Sequence, residues 1–394
     1  MKRKVKDLLK NYITVQWLKR SPVLGIWQNQ WAFSSMENCH FDSNSRYLFQ
    51  YVYDHMPEIV PVYVMNDPVK RKRLRKEYPR AQIVDTNTRE GISTVLESGV
   101  WFTSAGMPVY GTGLLKGRVI VNLWHGVPLK KIVLAEKNHH FWYRLYISLL
   151  FSKNYTWVVT TSRRMVPIMQ KSFGIGKNQV KVWGQPRNDR LFACREAKEV
   201  LGGIYGDLPE FTRAVLYAPT HRDGSPVKLF PFQDFQPEEL AQFLEREKLL
   251  LCVRTHMYET QQAKLPQSPR LRWLGEELAE DVMEVLDVFD LLITDYSSIY
   301  IDFLLTGRPL MFLPYDQEEY LALRGFNFPY EKITPGPRPG TFAQFCAQMK
   351  ELLGGDDRYG EKRRKTDKFF NEVHEPCCEL ICARVQEYLK GTDV

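Results

Sequence analysis

The sequence lacks the signatures of disulfide-rich and membrane-spanning proteins. Its seven cysteines include no C-x-x-C pair and no framework spacing, which argues against a disulfide scaffold and is typical of a reducing compartment. No apolar run reaches the roughly 18 residues of a membrane-spanning helix, and no apolar segment with a small-residue cleavage site follows the basic N-terminus. We therefore expect a cytoplasmic protein whose contact with a membrane is peripheral.

Common nucleotide- and metal-binding motifs are missing as well. The chain has no Walker loop and no H-E-x-x-H, and the segment Gly111-Thr112-Gly113 lacks the third glycine of the dinucleotide fingerprint. No D-x-D pair beside a predicted strand indicates a divalent metal. Arginine, histidine and a helix terminus would then have to bind any phosphate, so we expect neither a metal nor a cofactor.

The composition is that of a globular protein with a basic surface. The chain has 394 residues, of which 44% are apolar and 25% charged, enough for two ordinary domains with full cores. The formal net charge of +8 favours an anionic partner, such as nucleic acid, acidic lipid or a phosphorylated substrate. Basic residues gather at the N-terminus and near residues 362–368 without a nucleic-acid-binding motif, so we expect no nucleic acid partner. A homo-oligomer is compatible with this composition.

Short apolar runs alternate with helical stretches in two successive series. This alternation predicts two α/β domains with mostly parallel sheets, spanning residues 21–200 and 201–374, with the hinge at 194–208. A last helix in residues 375–394 can cross back to the first domain. Two facing domains of this kind would bind a ligand in a cleft at the carboxyl ends of their strands.

Residues 1–20 have the pattern of a basic amphipathic helix. Apolar residues recur at helical spacing, namely Val5, Leu8, Leu9, Tyr12 and Ile13. Such a helix is typical of an interfacial anchor on anionic lipid, and equally of a terminal helix that packs on a domain with a solvated outer face. The aromatic stretch 141–146 allows the same two interpretations.

A histidine at the end of a predicted strand is the first candidate for catalysis. The apolar strand 119–123 leads straight into Trp124-His125-Gly126, which puts the imidazole where open sheets bind their ligands. Gly126 permits unusual backbone angles, and Pro128 stiffens the exit. A histidine here can act as a general base near neutral pH, although a lone loop histidine more often only caps a loop.

A hydroxyl-rich turn after the predicted strand 291–294 has the chemistry of a phosphate site. Ser297 and Ser298 open a helix whose free N–H groups and dipole suit an anion. Asp302 lies one turn further and is expected to bind a ligand hydroxyl. Ordinary N-capping without a ligand is the alternative interpretation.

Three more segments carry candidate binding residues. Arg254 and His256 follow a predicted strand and, two residues apart on an extended chain, point the same way. A cation and an imidazole suit a diphosphate. Pro219 and Thr220 also follow a strand, and Arg187 lies in a turn. Each segment alone is compatible with an ordinary surface loop, so the prediction of one site rests on their shared position at strand ends.

These segments together resemble the CDP-glycerol glycerophosphotransferase family, the teichoic acid primases and polymerases. The resemblance covers roughly residues 30–390. It rests, in chain order, on Asp42-Ser43-Asn44, Trp124-His125-Gly126-x-Pro128-x-Lys130, Pro186-Arg187-Asn188-Asp189, Tyr217-Ala218-Pro219-Thr220, Arg254-x-His256, Thr294-Asp295-Tyr296-Ser297-Ser298 with Asp302, Arg324-Gly325 and Pro335-Gly336-Pro337.

The resemblance implies a GT-B fold of two Rossmann-like domains that face a central cleft, and it implies roles for the candidates. His125 is the expected general base and His256 the second catalytic histidine. The expected contacts to CDP-glycerol are Trp124, Gly126, Pro128, Arg187, Pro219, Thr220, Arg254, Ser297, Ser298 and Asp302. A hydroxyl of the acceptor would attack the β-phosphorus and expel CMP, with positioning and charge stabilisation supplying most of the catalysis.

The chain is closest in size to the primase of this family. A primase adds the first glycerol phosphate to an undecaprenyl-diphosphate-linked disaccharide, which implies a peripheral enzyme on the anionic cytoplasmic face of the bacterial cell membrane. The alternatives are a poly(glycerol phosphate) or ribitol-phosphate polymerase of the same family, and a GT-B enzyme that uses a nucleotide sugar. A basic membrane- or nucleic-acid-binding protein without catalysis is the alternative of another class.

Overall fold

Two parallel β-sheets organise the protein. The computed structural model describes residues 2–22, 24–136, 140–222, 227–255 and 265–391. The strands of the first sheet are β1 (Trp27–Ser34), β2 (Val60–Val64), β3 (Gln82–Val84), β4 (Ser98–Thr103), β5 (Val119–Asn122), β6 (Trp157–Thr160) and β7 (Val180–Val182). Those of the second are β8 (Arg213–Tyr217), β9 (Leu249–Val253), β10 (Leu271–Trp273), β11 (Leu291–Thr294) and β12 (Leu310–Phe312).

The strand orders are those of doubly wound sheets. The first sheet runs β3-β2-β1-β4-β5-β6-β7 and the second β10-β9-β8-β11-β12, and each recorded strand pair is parallel. In both, the winding reverses beside the first strand, which creates a switch point for ligands at the carboxyl edge. The predicted α/β fold with two mostly parallel sheets is confirmed.

Helices connect the strands in the described ranges. Their bounds are α1 (Lys2–Leu18), α2 (Ser43–His55), α3 (Pro68–Glu77), α4 (Arg89–Glu97), α5 (Phe141–Leu150), α6 (Val166–Phe173), α7 (Ala197–Tyr205), α8 (Pro237–Arg246), α9 (Ile299–Phe303), α10 (Gln317–Arg324), α11 (Tyr330–Ile333), α12 (Phe342–Gly354), α13 (Gly360–Phe370) and α14 (Cys378–Leu389). No helix of these ranges combines the length and apolarity needed to cross a bilayer.

Three elements differ from the predictions. The sequence did not predict β1, because three of its first four residues are polar and Trp27, Gln28 and Asn29 are exposed, although the strand is buried from Gln30 onward between β2 and β4. It also missed β7, which has only three residues. The sequence pattern predicts one helix over 282–288, but two 3₁₀ turns occupy this stretch, because the backbone of Val285 leaves helical angles between them.

The chain forms two compact units, each around one sheet. The first comprises Met1–Val127, Ile132–Asp189 and Glu372–Val394, and the second comprises Pro128–Lys131 and Arg190–Asn371. The sequence placed the main boundary at 200/201, whereas the chain divides after Asp189 and α7 belongs to the second unit. Helix α14 belongs to the first unit.

Both faces of the first sheet are covered, as parallel sheets require. Neighbouring residues of β1 point to opposite faces, so Phe33 packs in one hydrophobic cluster and Ala32 in the other. Helix α14 adds Ile381 and Val385 to the cluster of Phe33. The second sheet has a core of its own that includes Val215 of β8.

Helix α1 packs on the first unit mainly along one side, and on the other side the Arg89 guanidinium of α4 lies 4.1 Å from the ring centre of Trp17. Val15 and Leu18 are buried in the cluster of Ala32, and the side chain of Asn11 donates to the carbonyl of Thr86 at 3.2 Å. On the opposite side of the helix, an apolar stripe formed by Leu9, Ile13 and Trp17 is 55%, 59% and 55% exposed. The helix is therefore a packed element that leaves one apolar face largely uncovered.

Candidate active site

The His125 loop, residues 123–127, turns sharply as it leaves β5. Trp124 has a φ of 55° and Gly126 a φ of 145°, so left-handed backbone lies on both sides of His125. The side chain of Asn122, the last residue of β5, accepts a hydrogen bond from the Trp124 N–H at 2.9 Å. Left-handed backbone is costly for a residue with a Cβ and is concentrated at functional sites.

The imidazole of His125 is held in one orientation. Its Nδ1 lies 2.9 Å from the carbonyl oxygen of Ser104, just beyond β4. Because a carbonyl can only accept, Nδ1 carries the hydrogen, and the lone pair of the neutral ring lies on Nε2. Burial lowers the pKa of His125, and the charge of Arg187 lowers it further, while the bond to Ser104 opposes both. The ring is therefore neutral near pH 7 and ready to accept a proton at Nε2.

Two side chains clamp the His125 loop through its carbonyl groups. Asn44, in the first turn of α2, donates to the carbonyls of Leu123 at 3.1 Å and Trp124 at 2.8 Å. Its Oδ1 accepts the N–H of Arg187 at 3.1 Å, and the Arg187 guanidinium donates to the carbonyl of His125 at 2.8 Å. Asn44 and Arg187 therefore hold the main chain next to the imidazole. Neither of these bonds involves the imidazole ring.

The partner of the imidazole is fixed in turn. The Ser45 N–H donates to Ser104 Oγ at 2.7 Å, and the two hydroxyl oxygens lie 2.5 Å apart. Ser45 Oγ also donates to the carbonyl of Ser34 at 2.6 Å. These buried contacts link the ends of β1 and β4 to α2, which holds the Ser104 carbonyl in place for His125.

Three loops of the second unit leave from the same edge of their sheet. β9, β8 and β11 are parallel neighbours, so the loops that begin at Arg254, Ala218 and Asp295 start side by side. The Arg254 N–H donates to the carbonyl of Tyr217 at 2.8 Å, and Thr294 Oγ1 donates to the carbonyl of Ala218 at 2.7 Å. The winding of the sheet reverses between β8 and β11, where doubly wound sheets bind ligands.

A buried ionic cluster, the Arg222 network, joins two of these loops. Arg222 Nη2 lies 2.8 Å from Asp295 Oδ2, and its Nε lies 2.7 Å from Asp316 Oδ2. Asp295 Oδ1 accepts the N–H groups of Thr220 at 2.8 Å and Tyr296 at 2.6 Å. One carboxylate therefore fixes the backbone of the loop after β8 and of the loop after β11.

The charge of Arg222 is stabilised in its buried position. Burial disfavours the cation, but hydrogen bonds to Asp316 and the charge of Asp295 raise the pKa of Arg222 above its ordinary value. The guanidinium carbon also lies 5.0 Å from the ring centre of Tyr296 and 4.9 Å from that of Tyr320. Since both neighbouring carboxylates are engaged by it, Arg222 acts as a structural cation.

Ser297 and Ser298 differ in how their hydroxyls are used. Ser297 Oγ accepts the N–H of Ile299 at 3.4 Å, a long capping contact. Ser298 occupies the N-cap position of α9 and, within the described residues, makes no side-chain capping bond. The N-capping alternative therefore fits Ser297 and leaves the Ser298 hydroxyl for a ligand. Helix α9 spans only Ile299–Phe303, so its dipole adds less than the sequence suggested.

Thr220 and Arg254 lie in the loops that follow the neighbouring strands β8 and β9. In the part of the chain that the structure describes, the buried Thr220 Oγ1 has no hydrogen-bond partner. Arg254 Nη1 donates to the carbonyl of Ala279 at 2.9 Å, and no carboxylate of the described ranges forms an ion pair with it. Burial lowers the pKa of Arg254, and the charges of Asp281, Glu276, Glu284 and Glu277 oppose that lowering. The Arg254 guanidinium is thus oriented by carbonyl groups, with four carboxylates of the segment 276–284 near enough to act on its pKa.

The predicted site residues fall into two groups, one in each unit. Trp124, His125, Gly126 and Arg187 are together in the first unit, and Pro219, Thr220, Arg254, Ser297 and Ser298 are in the second. Pro128 belongs to the second unit, where its carbonyl accepts the side chain of Asn327 at 2.8 Å. Asp302 has no exposed surface. A ligand hydroxyl therefore cannot touch its carboxylate directly in this structure, and Asp302 could act on a ligand only through neighbouring residues. His256 lies outside the described residues.

Sequence reasoning missed the residues that hold the candidates in place. Asn44 and Asp295 stand in motifs that carried the resemblance, which was a usable signal for both. Ser104 serves His125 through its main chain, and Asp316 meets Arg222 from 94 positions further along the chain. Neither contact leaves a pattern in the sequence.

Most of the chain matches one protein family. The model of the CDP-glycerol:poly(glycerophosphate) glycerophosphotransferase family matches residues 14–377. The chain therefore belongs to this family.

Curated relatives and a solved structure agree with this assignment. The chain is 31% identical to the teichoic acid glycerol-phosphate primase of Bacillus spizizenii over 195 residues, 50% of this chain and 49% of the relative. It is 24% identical to the teichoic acid poly(glycerol phosphate) polymerase of Bacillus subtilis over 373 residues, 91% of this chain and 48% of the relative. The wall teichoic acid polymerase TagF matches with a TM-score of 0.79 at 21% identity, over 99% of this chain and 97% of that chain. This match shows the GT-B fold.

The chain spans about half the length of the curated polymerases it matches.

Proposed function

We propose, from this family membership, that the protein transfers glycerol phosphate from CDP-glycerol to a hydroxyl of an undecaprenyl-diphosphate-linked disaccharide and releases CMP. The observation that carries the proposal is the orientation of His125, a neutral imidazole whose Nδ1–H is bound to a carbonyl and whose Nε2 has a lone pair. Such a group removes a proton from an attacking hydroxyl.

The reaction breaks one phosphoanhydride bond and forms one phosphodiester. The acceptor oxygen attacks the β-phosphorus of CDP-glycerol as its proton passes to His125 Nε2. The bond between the β-phosphorus and the bridging oxygen breaks, and CMP leaves with that oxygen. Transfer of this kind depends mainly on positioning and on stabilising the charge of the phosphoryl oxygens.

Residues of the second unit would bind the donor. Arg254 supplies a cation held by carbonyl groups, Thr220 a buried hydroxyl that lacks a partner among the described residues, and Ser298 a hydroxyl outside the helix cap. These three groups suit phosphate oxygens, which accept several hydrogen bonds and favour a cation. The Arg222 network would keep the loops that carry them in place.

Donor choice tests the proposal directly. CMP release is measured with CDP-glycerol, CDP-ribitol and a UDP-sugar in the presence of a lipid-linked disaccharide. We expect turnover with CDP-glycerol and little with the UDP-sugar. Absence of turnover with both CDP-alcohols would contradict the proposal. A preference for CDP-ribitol would mean that the enzyme transfers ribitol phosphate instead of glycerol phosphate. Because no metal is expected to take part, activity should survive EDTA treatment; loss restored by Mg²⁺ would overturn that part.

A polymerase of the same family is the second candidate. The alignment over 91% of this chain with the poly(glycerol phosphate) polymerase of Bacillus subtilis favours it, whereas the 31% identity with the primase of Bacillus spizizenii favours the first. Product length from a defined lipid-linked disaccharide separates them. One added unit is the result of a primase, and a ladder is the result of a polymerase.

We also propose peripheral binding to the cytoplasmic face of the cell membrane. The stripe of Leu9, Ile13 and Trp17 presents apolar side chains to solvent, and a contiguous exposed apolar face marks an interaction site. Phe141 and Trp142, at the start of α5, are 70% and 75% exposed. Exposed tryptophan and leucine on a basic amphipathic helix suit the interface of an anionic bilayer.

Flotation with liposomes tests this part. Replacing Leu9, Ile13 and Trp17 together by Ser should release the protein from phosphatidylglycerol liposomes, while turnover of a soluble acceptor analogue remains. The control is Val69→Ser, which alters an isolated exposed residue on α3. Equal flotation of the triple variant and the wild type would remove α1 from the membrane contact.

A further inference from the structure

A cavity with a mixed polar and apolar lining lies beside α1 at the carboxyl edge of the first sheet. Its volume is about 310 Å³, at the lower end of the roughly 300–1,000 Å³ typical of small-molecule sites. Its walls come from α1 and from the segments that follow β1, β2, β3 and β4. The winding of this sheet reverses between β1 and β4, so the cavity occupies the position where doubly wound sheets bind ligands.

The lining chemistry selects against anions. It combines side-chain amides with two carboxylates, contributed by Asn11, Asn38, Asn66, Asn87, Asp7 and Glu37. Among the described residues that line the cavity, none is Lys, Arg or His. A phosphate would meet negative charge without a compensating cation. Amides and carboxylates instead match neutral ligands with many hydroxyl groups, and the ring of Tyr110 offers an apolar surface beside them.

The walls of the cavity are braced against each other. Asn38 donates to Thr86 Oγ1 at 3.2 Å and to the carbonyl of Pro108 at 2.9 Å. Asn66 Oδ1 accepts the Thr86 N–H at 2.9 Å, and Asn11 Oδ1 accepts the Tyr110 N–H at 2.9 Å. The segments after β1, β2, β3 and β4 and helix α1 are thereby joined into one frame, so the cavity is formed before any ligand arrives.

The cavity adjoins the support of the candidate base. Ala105 lines it, and the preceding residue, Ser104, holds the imidazole of His125. On α1, Leu8 and Asn11 line the cavity, whereas the stripe on the opposite side is exposed. One helix therefore borders both this cavity and the face proposed to bind a membrane.

From these observations we propose that the cavity is the subsite for an uncharged sugar ring of the acceptor. This inference rests on the proposed function, since the acceptor is the sugar-bearing substrate. Sugar hydroxyls bind the carboxylates of the wall and the amide of Asn87, which takes no part in the bracing, and the diphosphate of the lipid carrier stays outside. The segment after β4 then places the sugar beside the residue that holds His125.

Two neighbouring residues of α1 provide a matched pair of variants. Leu8→Trp fills the cavity, while Leu9→Trp makes the same replacement on the exposed side. The probe is N,N′-diacetylchitobiose, a soluble disaccharide without phosphate, and glycerol 3-phosphate is the anionic comparison. In ligand-observed NMR titrations, Leu8→Trp should weaken disaccharide binding at least tenfold, Leu9→Trp should leave it unchanged, and glycerol 3-phosphate should not compete. Equal binding by wild type and Leu8→Trp overturns the subsite.

Asn87→Ala covers the case in which Leu8→Trp does not fold. Removing one neutral hydrogen bond should weaken disaccharide binding roughly fivefold, and an unchanged affinity contradicts the inference. In turnover assays, Leu8→Trp should raise the KM for the acceptor and leave the KM for CDP-glycerol as in the wild type. An active wild type with unchanged acceptor KM in Leu8→Trp refutes the subsite alone. A wild type inactive with both CDP-alcohols refutes the proposed function, and the disaccharide titration still decides the subsite.

Discussion

The loops of the two units stand on similar parallel sheets, yet opposite kinds of interaction hold them. The His125 loop is fixed by hydrogen bonds to its carbonyl groups, from Asn44 and Arg187. In the second unit, the loops after β8 and β11 are fixed by a buried ionic cluster of Arg222, Asp295 and Asp316. This difference matches the proposed roles of the loops, a neutral base in the first unit and a phosphate site in the second.

A base must stay neutral, whereas a phosphate site must tolerate charge. A carboxylate bound to His125 Nδ1 would raise the pKa of the ring, whereas the Ser104 carbonyl orients the ring without adding charge. In the Arg222 network, the cation neutralises the carboxylate that fixes two backbone segments. By our proposal, Arg254, whose hydrogen-bond partners are carbonyl groups, binds the anionic groups of the donor.

The largest expected effect tests the first half of this comparison, the role of His125 as a neutral base. His125→Ala should lower kcat roughly 10²- to 10⁴-fold, the usual contribution of general base catalysis, and leave CDP-glycerol affinity unchanged. CMP release and calorimetric titration measure the two quantities. His55→Ala is the control, because His55 is an exposed histidine whose Nδ1 also lies near a carbonyl, that of Tyr51. Full activity of His125→Ala would show that another group is the base.

The next effect tests the second half of the comparison, the ionic clamp formed by the Arg222 network. Arg222→Ala leaves two carboxylates without their cation and should lower the free energy of unfolding by about 3–5 kcal/mol, with weaker donor binding. Chemical unfolding followed by tryptophan fluorescence measures the stability. The exposed pair Arg213–Asp290 provides the control, since Arg213→Ala should cost at most about 1 kcal/mol. Equal losses in the two variants would mean that the Arg222 network is not a structural clamp.

A smaller effect sharpens the assignment within the second unit. Ser298→Ala should weaken CDP-glycerol binding by about 1.5–3 kcal/mol, the value of a hydrogen bond to a charged group. Ser297→Ala should change affinity less, because Ser297 Oγ already contacts the N–H of Ile299. Calorimetric titration of both variants gives the comparison. A greater loss for Ser297→Ala than for Ser298→Ala would reverse the two roles.

The smallest effect is a displacement of the pH profile. The base is active when neutral, and burial holds the pKa of His125 below its ordinary value, so kcat/KM should rise with pH below about 6.5 and then level off. Arg187→Met removes a charge that lowers this pKa, so the rise should move to higher pH, whatever happens to the maximal rate. Arg163→Met, at an exposed arginine, should leave the profile in place. A shift to lower pH would contradict the electrostatic role of Arg187.

Local signals made much of the fold predictable. The strands before His125, Thr220, Arg254 and Ser297 are short apolar runs that end in polar segments, and a parallel sheet places such ends on one edge. The sequence did not predict β1, because its first three residues are exposed and polar residues interrupt the apolar pattern as far as Gln30. Its burial comes from neighbours on both sides, which periodicity within a single strand does not reveal.

The support of the site was less predictable than its chemistry. His125 and Ser298 belong to motifs whose residue types indicate a base and a phosphate site, respectively. Ser104 contributes only a carbonyl, which every residue has. Asp316 and Arg222 are 94 positions apart in the sequence. Only the folded chain brings them together.

The discontinuous first unit has a consequence for how the chain folds during synthesis. Its sheet is complete once Val182 has been made, but the cluster around Phe33 also contains Ile381 and Val385. Those residues leave the ribosome only after the whole second unit, which is continuous apart from Pro128–Lys131. The unit that begins first therefore closes last, against the usual order of domains in a growing chain. Until then the apolar face that α14 covers is exposed to solvent.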